Sequence, residues 1–132
     1  MIPAVYTISP AAVLDDDASA LFPGAAYFAG NLLLIALQGT EVIGVVGYRQ
    51  LGGDEAELLF MGTNPDHRRR GVATALLREV LRRCPGTVFL EVRESNHGAR
   101  ALYRSAGFEE IGIRQKYYND PPENAIVMKF HS

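Results

Sequence analysis

The chain is predicted to fold as an α/β (α+β) protein, a mixed, mostly antiparallel central sheet with helices on both faces. Three observations predict it. Apolar segments of strand length are separated by turn residues, and two other stretches carry apolar residues at helical spacing. Their order is a hairpin, then strand-helix-strand-helix, then a closing antiparallel pair. With 132 residues, 48% of them hydrophobic, the chain can fill one core, so a single domain over residues 1–132 is expected.

Val5-Tyr6-Thr7-Ile8 reads as a short strand. Ser9-Pro10 then read as the N-cap and first residue of a helix running towards Leu21, weakened by Asp15-Asp16-Asp17 and broken by Phe22-Pro23-Gly24. Ala25 to Gly30 adds one further helical turn. Leu32 to Leu37 and Glu41 to Arg49 are strands joined by the tight connection Gln38-Gly39-Thr40, and Gln50 to Asp54 is the next turn. Glu57 to Thr63 is a strand. Ala73, Leu76, Leu77, Val80, Leu81 and Cys84 recur at helical spacing, which gives a helix from Arg70 to Cys84 stopped by Pro85-Gly86. Thr87 to Val92 is a strand, followed by a helix from Ser95 or Asn96 to Ala106 with Gly107 as its C-cap. Phe108 to Tyr118 and Ala125 to Phe130 close the sheet across Asn119-Asp120-Pro121-Pro122.

The net charge is −2, but its distribution is uneven. Residues 68 to 104 hold nine of the thirteen basic residues and three acids, whereas the first sixty hold one Arg and seven acids. A cationic half suits a polyanionic ligand, and an acidic half attracts an amine. No aromatic-rich basic strand pattern points to nucleic acid. The single Cys84 forms no internal disulfide and reads as a core thiol. The longest apolar run, Asn31 to Leu37, is too short to span a bilayer, and no basic n-region precedes an apolar stretch, so the cytoplasm is the expected location.

The most telling stretch runs from His67 to Leu77. Gly71 falls where a strand has ended and a helix begins. There the first N–H groups lack intrahelical partners, the helix dipole favours negative charge, and a residue without a side chain lets an anion approach the main chain. Phosphate is the natural guest. The spacing is neither a P-loop nor a three-glycine dinucleotide fingerprint. Arg68-x-x-Gly71-x-Ala73 instead resembles the Arg/Gln-x-x-Gly-x-Gly/Ala signature of the GNAT superfamily of N-acetyltransferases, whose mixed sheet has this same element order.

Two further residues stand out. Glu91 is one acid within the apolar strand Thr87 to Val92, so it lies near a solvated sheet end, pairs with an Arg, or serves function. Tyr103 shares a helix face with Ala99, Leu102 and Ala106, as a core aromatic with its hydroxyl at the rim or as a functional group. The stretch Leu90-Glu91-Val92-Arg93-x-Ser95-Asn96-x-x-Ala99-x-Ala101-Leu102-Tyr103-x-Ser105-x-Gly107-Phe108 resembles the branch that acetylates protein N-termini, the bacterial ribosomal-protein alanine N-acetyltransferases in particular. Arg114-x-Lys116-Tyr117-Tyr118 and Asn124-Ala125-Ile126-Val127-Met128 extend the match, which runs from about Glu57 to Phe130.

The resemblance implies Glu91 as general base and Tyr103 as general acid. It implies that acetyl-CoA is held by the main chain of Met61, Gly62 and Thr63, by Arg69, Arg70, Gly71, Val72, Ala73 and Thr74 at the pyrophosphate, and by Asn96 and Tyr103. It implies no metal. The expected acceptor is a peptide or protein N-terminus, a ribosomal protein among the candidates, without direct nucleic-acid or membrane contact, and a monomer or homodimer is expected. A small-molecule amine is the alternative acceptor, because the match thins before Glu57, and a non-catalytic acyl-CoA-binding module is the third reading. His67 and His97 read as surface residues. Tyr117-Tyr118, with Arg114 and Lys116, either shape the acceptor groove or guard an edge strand.

Overall fold

A computed structural model describes residues 6–11 and 32–131. Its strands are β1 (Thr7–Ala11), β2 (Leu32–Gln38), β3 (Glu41–Gly52), β4 (Glu55–Thr63), β5 (Thr87–Arg93), β6 (Glu109–Asn119) and β7 (Pro122–His131). Among the described residues the α-helices are α1 (Val72–Arg83) and α2 (His97–Ser105), and a 3-10 turn covers Pro65–His67. The strands run in the order β1-β2-β3-β4-β5-β7-β6. The β1–β2, β2–β3, β5–β7 and β7–β6 ladders are antiparallel, whereas β4–β5 pairs Glu55–Glu57 with Thr87–Phe89 in parallel. The mixed, mostly antiparallel sheet expected from the sequence is the one observed.

The structure corrects the reading of the N-terminal segment. Ser9 and Pro10 lie within β1, paired with Ile35 and Leu34, and do not start a helix. β1 is an edge strand, where a proline's missing N–H costs no ladder bond if it faces outward. Val5 and the helical readings between residues 12 and 30 lie outside the described residues. Smaller shifts follow from caps. The first helix starts at Val72, after Gly71, and ends at Arg83, just before Cys84. The second is capped by Asn96 and Ala106, with Gly107 next at φ +107°.

The described chain forms two compact units, one ending at Arg49 and resuming over Leu59–Val80, the other comprising Gln50–Leu58 and the chain from Leu81 onward. In the first, Ile43 to Tyr48 are buried without alternation, the pattern of a strand covered on both faces. Gly44 makes room for α1: a Cβ there would lie 2.7 Å from Val72 Cγ1 and 3.0 Å from Leu76 Cδ1. Leu33 and Val45 pack with Ala11, Ile35, Val42 and Phe60.

In the second unit β5 alternates, burying Val88, Leu90 and Val92 and turning Phe89, Glu91 and Arg93 to the other face. β7 runs beside it with Glu91 opposite Val127. Tyr103, Phe108 and Phe130 stack in sequence, centroids 5.8 and 5.6 Å apart. Cys84 is buried, and burial pushes its thiol pKa up against the opposing pull of a Gln50 hydrogen bond and the Arg83 charge.

Candidate functional site

Chemistry-bearing residues form one group in each unit. In the first, β4 ends at Thr63 and the chain turns at Asn64, whose side chain is buried. Its Oδ1 accepts the Asp66 N–H at 2.9 Å, and its own N–H donates to the Ile43 carbonyl at 2.9 Å. This anchors the 3-10 turn beside β3. Arg68 is then extended, Arg69 has φ +65° and Gly71 φ +77°. Left-handed backbone costs a residue with a Cβ about 1–2 kcal/mol, so the conformation at 71 selects glycine.

Nothing lies within 4 Å of the place a Cβ on Gly71 would occupy. Helix α1 starts there, with the Ala75 N–H on the Gly71 carbonyl at 3.0 Å and no acid in its first turn. First-turn N–H groups, a positive helix end, open space at the glycine and three consecutive arginines fit a diphosphate. Arg69, Arg70, Gly71, Ala73 and Thr74 reach that turn. Val72 is buried against β3, so only its main chain is available. Met61, Gly62 and Thr63 are the half-buried last residues of β4, beyond its pairing with β5.

His67 is not the plain surface residue expected. Its side chain is 13% exposed, its Nε2 sits 2.7 Å from Glu41 Oε1, and its Nδ1 accepts from Arg70 Nη1 at 2.6 Å. His97, at the start of α2, is exposed as expected.

In the second unit, Glu91 is half-buried and accepts from Arg114 Nη1 at 2.6 Å. The pair spans β7: Glu91 lies opposite Val127 and Arg114 opposite Ala125, two positions along one face. An Arg partner is one of the three roles the sequence leaves open for Glu91. Which arginine it is was not legible, because nothing local indicates that β7 inserts between β5 and β6.

Tyr117 and Tyr118 join this pair through a bulge in β6 between Arg114 and Tyr118. Lys116 takes φ +52° there, and its N–H donates to Asn124 Oδ1 at 2.9 Å. Successive strand residues ordinarily face opposite ways, yet these two rings meet edge-on at 5.1 Å. The Arg114 guanidinium lies 4.8 Å from the Tyr117 ring centre and that of Arg93 4.3 Å from Tyr118.

The Glu91 charge, followed by burial and a hydrogen bond to Glu91, raises the Tyr117 pKa. Tyr118 is raised first by burial and then by Glu91. Tyr103 is 7% exposed, and burial pushes it up to about 12, with Tyr118 the second cause. Its ring is a core aromatic and its hydroxyl keeps its proton. The neighbouring hairpin is tied down by Arg93, which donates to the Pro121 and Asp120 carbonyls and to Glu123 at 3.1, 3.3 and 3.2 Å. Hydrogen bonds from Ser95 hold the Glu123 carboxyl below its usual range, with Arg93 a smaller cause.

Thus Glu91, Arg114, Tyr117 and Tyr118 come together, and Tyr118 in turn acts on Tyr103. Asn96 caps α2, its Oδ1 taken by the Ala99 N–H at 3.1 Å, which leaves the amide nitrogen to donate elsewhere. Among the described residues no cluster of three or more His, Cys, Asp or Glu could hold a metal, and no helix is long and apolar enough to cross a membrane.

The family model of the acetyltransferase (GNAT) family matches residues 5–108, and the chain belongs to that family. It is 39% identical over 98 residues to the N-alpha-acetyltransferase RimI of Mycobacterium tuberculosis, covering 71% of this chain and 62% of that protein. It is 44% identical over 81 residues to the ribosomal protein bS18-alanine N-acetyltransferase of Escherichia coli, covering 57% of this chain and 55% of that protein. These matches therefore span less than two thirds of either relative's length. The crystal structure of the ribosomal-protein-S18-alanine N-acetyltransferase from Escherichia coli aligns with TM-score 0.79 and 31% identity, over 96% of this chain and 93% of that one.

Proposed function

We propose that the chain transfers an acetyl group from acetyl-CoA to the α-amine at a protein or peptide N-terminus. The observation that carries the proposal is a half-buried carboxylate, Glu91, with Arg114 at 2.6 Å and the Tyr117 and Tyr118 rings beside it. Family membership supports the reaction class, and the names of both curated relatives support an α-amine acceptor, a ribosomal protein being one instance.

Acetyl-CoA supplies the acetyl thioester when bound; the rest is the work of this chain's residues. Arg69, Arg70 and the main chain from Gly71 to Thr74 hold the diphosphate, Met61 to Thr63 offer main-chain groups to the acyl arm, and Asn96 adds a side-chain donor. Glu91 takes a proton from the acceptor ammonium. An N-terminal ammonium has an ordinary pKa of about 7.7–8.0, so little driving force is needed, whereas a lysine near 10.4 is harder to deprotonate. The freed amine would attack the thioester carbonyl carbon, the C–N bond forming as the C–S bond breaks, and Tyr103, protonated beforehand, would give its proton to the departing thiolate. No covalent adduct with the protein is needed.

The test is incubation of the pure protein with acetyl-CoA and peptides that differ at the first residue and contain internal lysines, the added mass being located by tandem mass spectrometry. Acetyl on the α-amine is the expected result. Modification confined to lysine side chains, or to small amines supplied in parallel, overturns the acceptor assignment.

A further inference from the structure

We infer that His67, held by Glu41, is a positioning residue that sets Arg70 for the diphosphate of acetyl-CoA; this rests on the reading of the Arg69–Thr74 turn given above. Hydrogen-bond polarity decides the arrangement. An arginine only donates, so the 2.6 Å approach of Arg70 Nη1 to His67 Nδ1 requires a lone pair on Nδ1. The ring proton must then sit on Nε2, which donates it to Glu41 Oε1 at 2.7 Å. Both ring nitrogens are engaged, and a side chain 13% exposed has little freedom to turn away.

Arg70 is otherwise an exposed residue in a turn with left-handed backbone at 69 and 71. A long side chain there has many rotamers to lose on binding a ligand. The imidazole removes some of that freedom beforehand, and it uses one guanidinium nitrogen while leaving the other N–H groups to face an anion. Glu41 fixes the tautomer, the usual role of the group on the far nitrogen. The charged partners of His67 are Glu41 from β3 and Arg70 from its own turn, with Asp66, Arg68 and Arg69 flanking in sequence.

The experiment has a structural and a binding arm. Long-range nitrogen–proton NMR of the ligand-free protein should show His67 as the Nε2-H tautomer in wild type. An Nδ1-H tautomer overturns the proposal. Calorimetric Kd values for acetyl-CoA and for acetyl-pantetheine, which lacks the diphosphate, are then compared in wild type, His67→Leu, His67→Gln and Arg70→Ala. Removal of one charge-assisted hydrogen bond should weaken acetyl-CoA roughly tenfold in Arg70→Ala. His67→Leu should weaken it about threefold, because Arg70 keeps its charge but is no longer oriented. Acetyl-pantetheine should be unaffected in both. Glutamine, which can accept from Arg70 and donate to Glu41, should recover most of the affinity that leucine removes, and in the two His67 variants KM for acetyl-CoA should move with Kd, the larger change falling on KM rather than on kcat. If Arg70→Ala weakens acetyl-CoA but His67→Leu does not, His67 has no positioning role. If Arg70→Ala itself changes nothing, the diphosphate assignment fails first and the inference falls with it.

Discussion

Glu91 accepts from an arginine on another strand and interacts with two tyrosines, so its carboxylate ties β5 to β6 in addition to the proton transfer proposed for it. Glu91→Gln keeps the shape and a weaker acceptor for Arg114 while removing the proposed base. Turnover should fall by about 10²–10⁴ with the acetyl-CoA Kd within twofold, read by steady-state kinetics beside calorimetry. Tyr103 makes a different prediction through its raised pKa. A tyrosine near 10 in the unfolded chain and about 12 when folded contributes its full stability below pH 10 and loses it as pH rises through 12. Chemical denaturation between those pH values should show a decline that Tyr103→Phe flattens. An unchanged alkaline slope in that variant would show that the hydroxyl is not shielded. At this scale much was legible: an acid within an apolar strand and a tyrosine on a helix face can be picked out by eye. The Arg114 partner was not, because it comes from a strand that becomes a near neighbour only once β7 has inserted.

Helix α1 packs on β3 through glycine, and the fit there is tight. Gly44→Ala would place a methyl 2.7 Å from Val72 and 3.0 Å from Leu76, both fully or nearly fully buried, so the helix must shift. Overpacking of this kind costs about 1–3 kcal/mol, and the melting temperature should fall by several degrees in calorimetry. Because Val72 begins the helix whose first turn faces the proposed diphosphate, acetyl-CoA affinity should fall with it. A variant as stable as wild type would mean that α1 yields without cost. Among the described residues, the strands other than β1 and the two helices were readable from apolar periodicity to within a few residues. Two features escaped. Pro10 looked like a helix start because proline favours that position, yet an edge strand accommodates it equally well. The bulge at Lys116 has no local signal, since a lysine does not announce φ +52°; the Asn124 side chain that receives its N–H comes from the next strand.

Over the whole molecule, charge is segregated although the total is only −2. Nine of thirteen basic residues fall between positions 68 and 104, and the first sixty residues are strongly acidic. Fields of this kind are screened within about 10 Å at 0.1 M salt. Acetyl-CoA affinity should therefore drop severalfold between roughly 0.05 M and 0.5 M sodium chloride, while acetyl-pantetheine binding stays level. Equal salt dependence for the two would remove the electrostatic account. Cys84 adds a different opportunity. The residue is 5% exposed, its thiol is pushed away from the reactive thiolate by burial, and the chain has no other cysteine to compete with it. It is a built-in chemical clock: a thiol reagent can mark each molecule once, and only while the unit around Cys84 is open, so the labelling rate in the native buffer counts excursions that no equilibrium signal records.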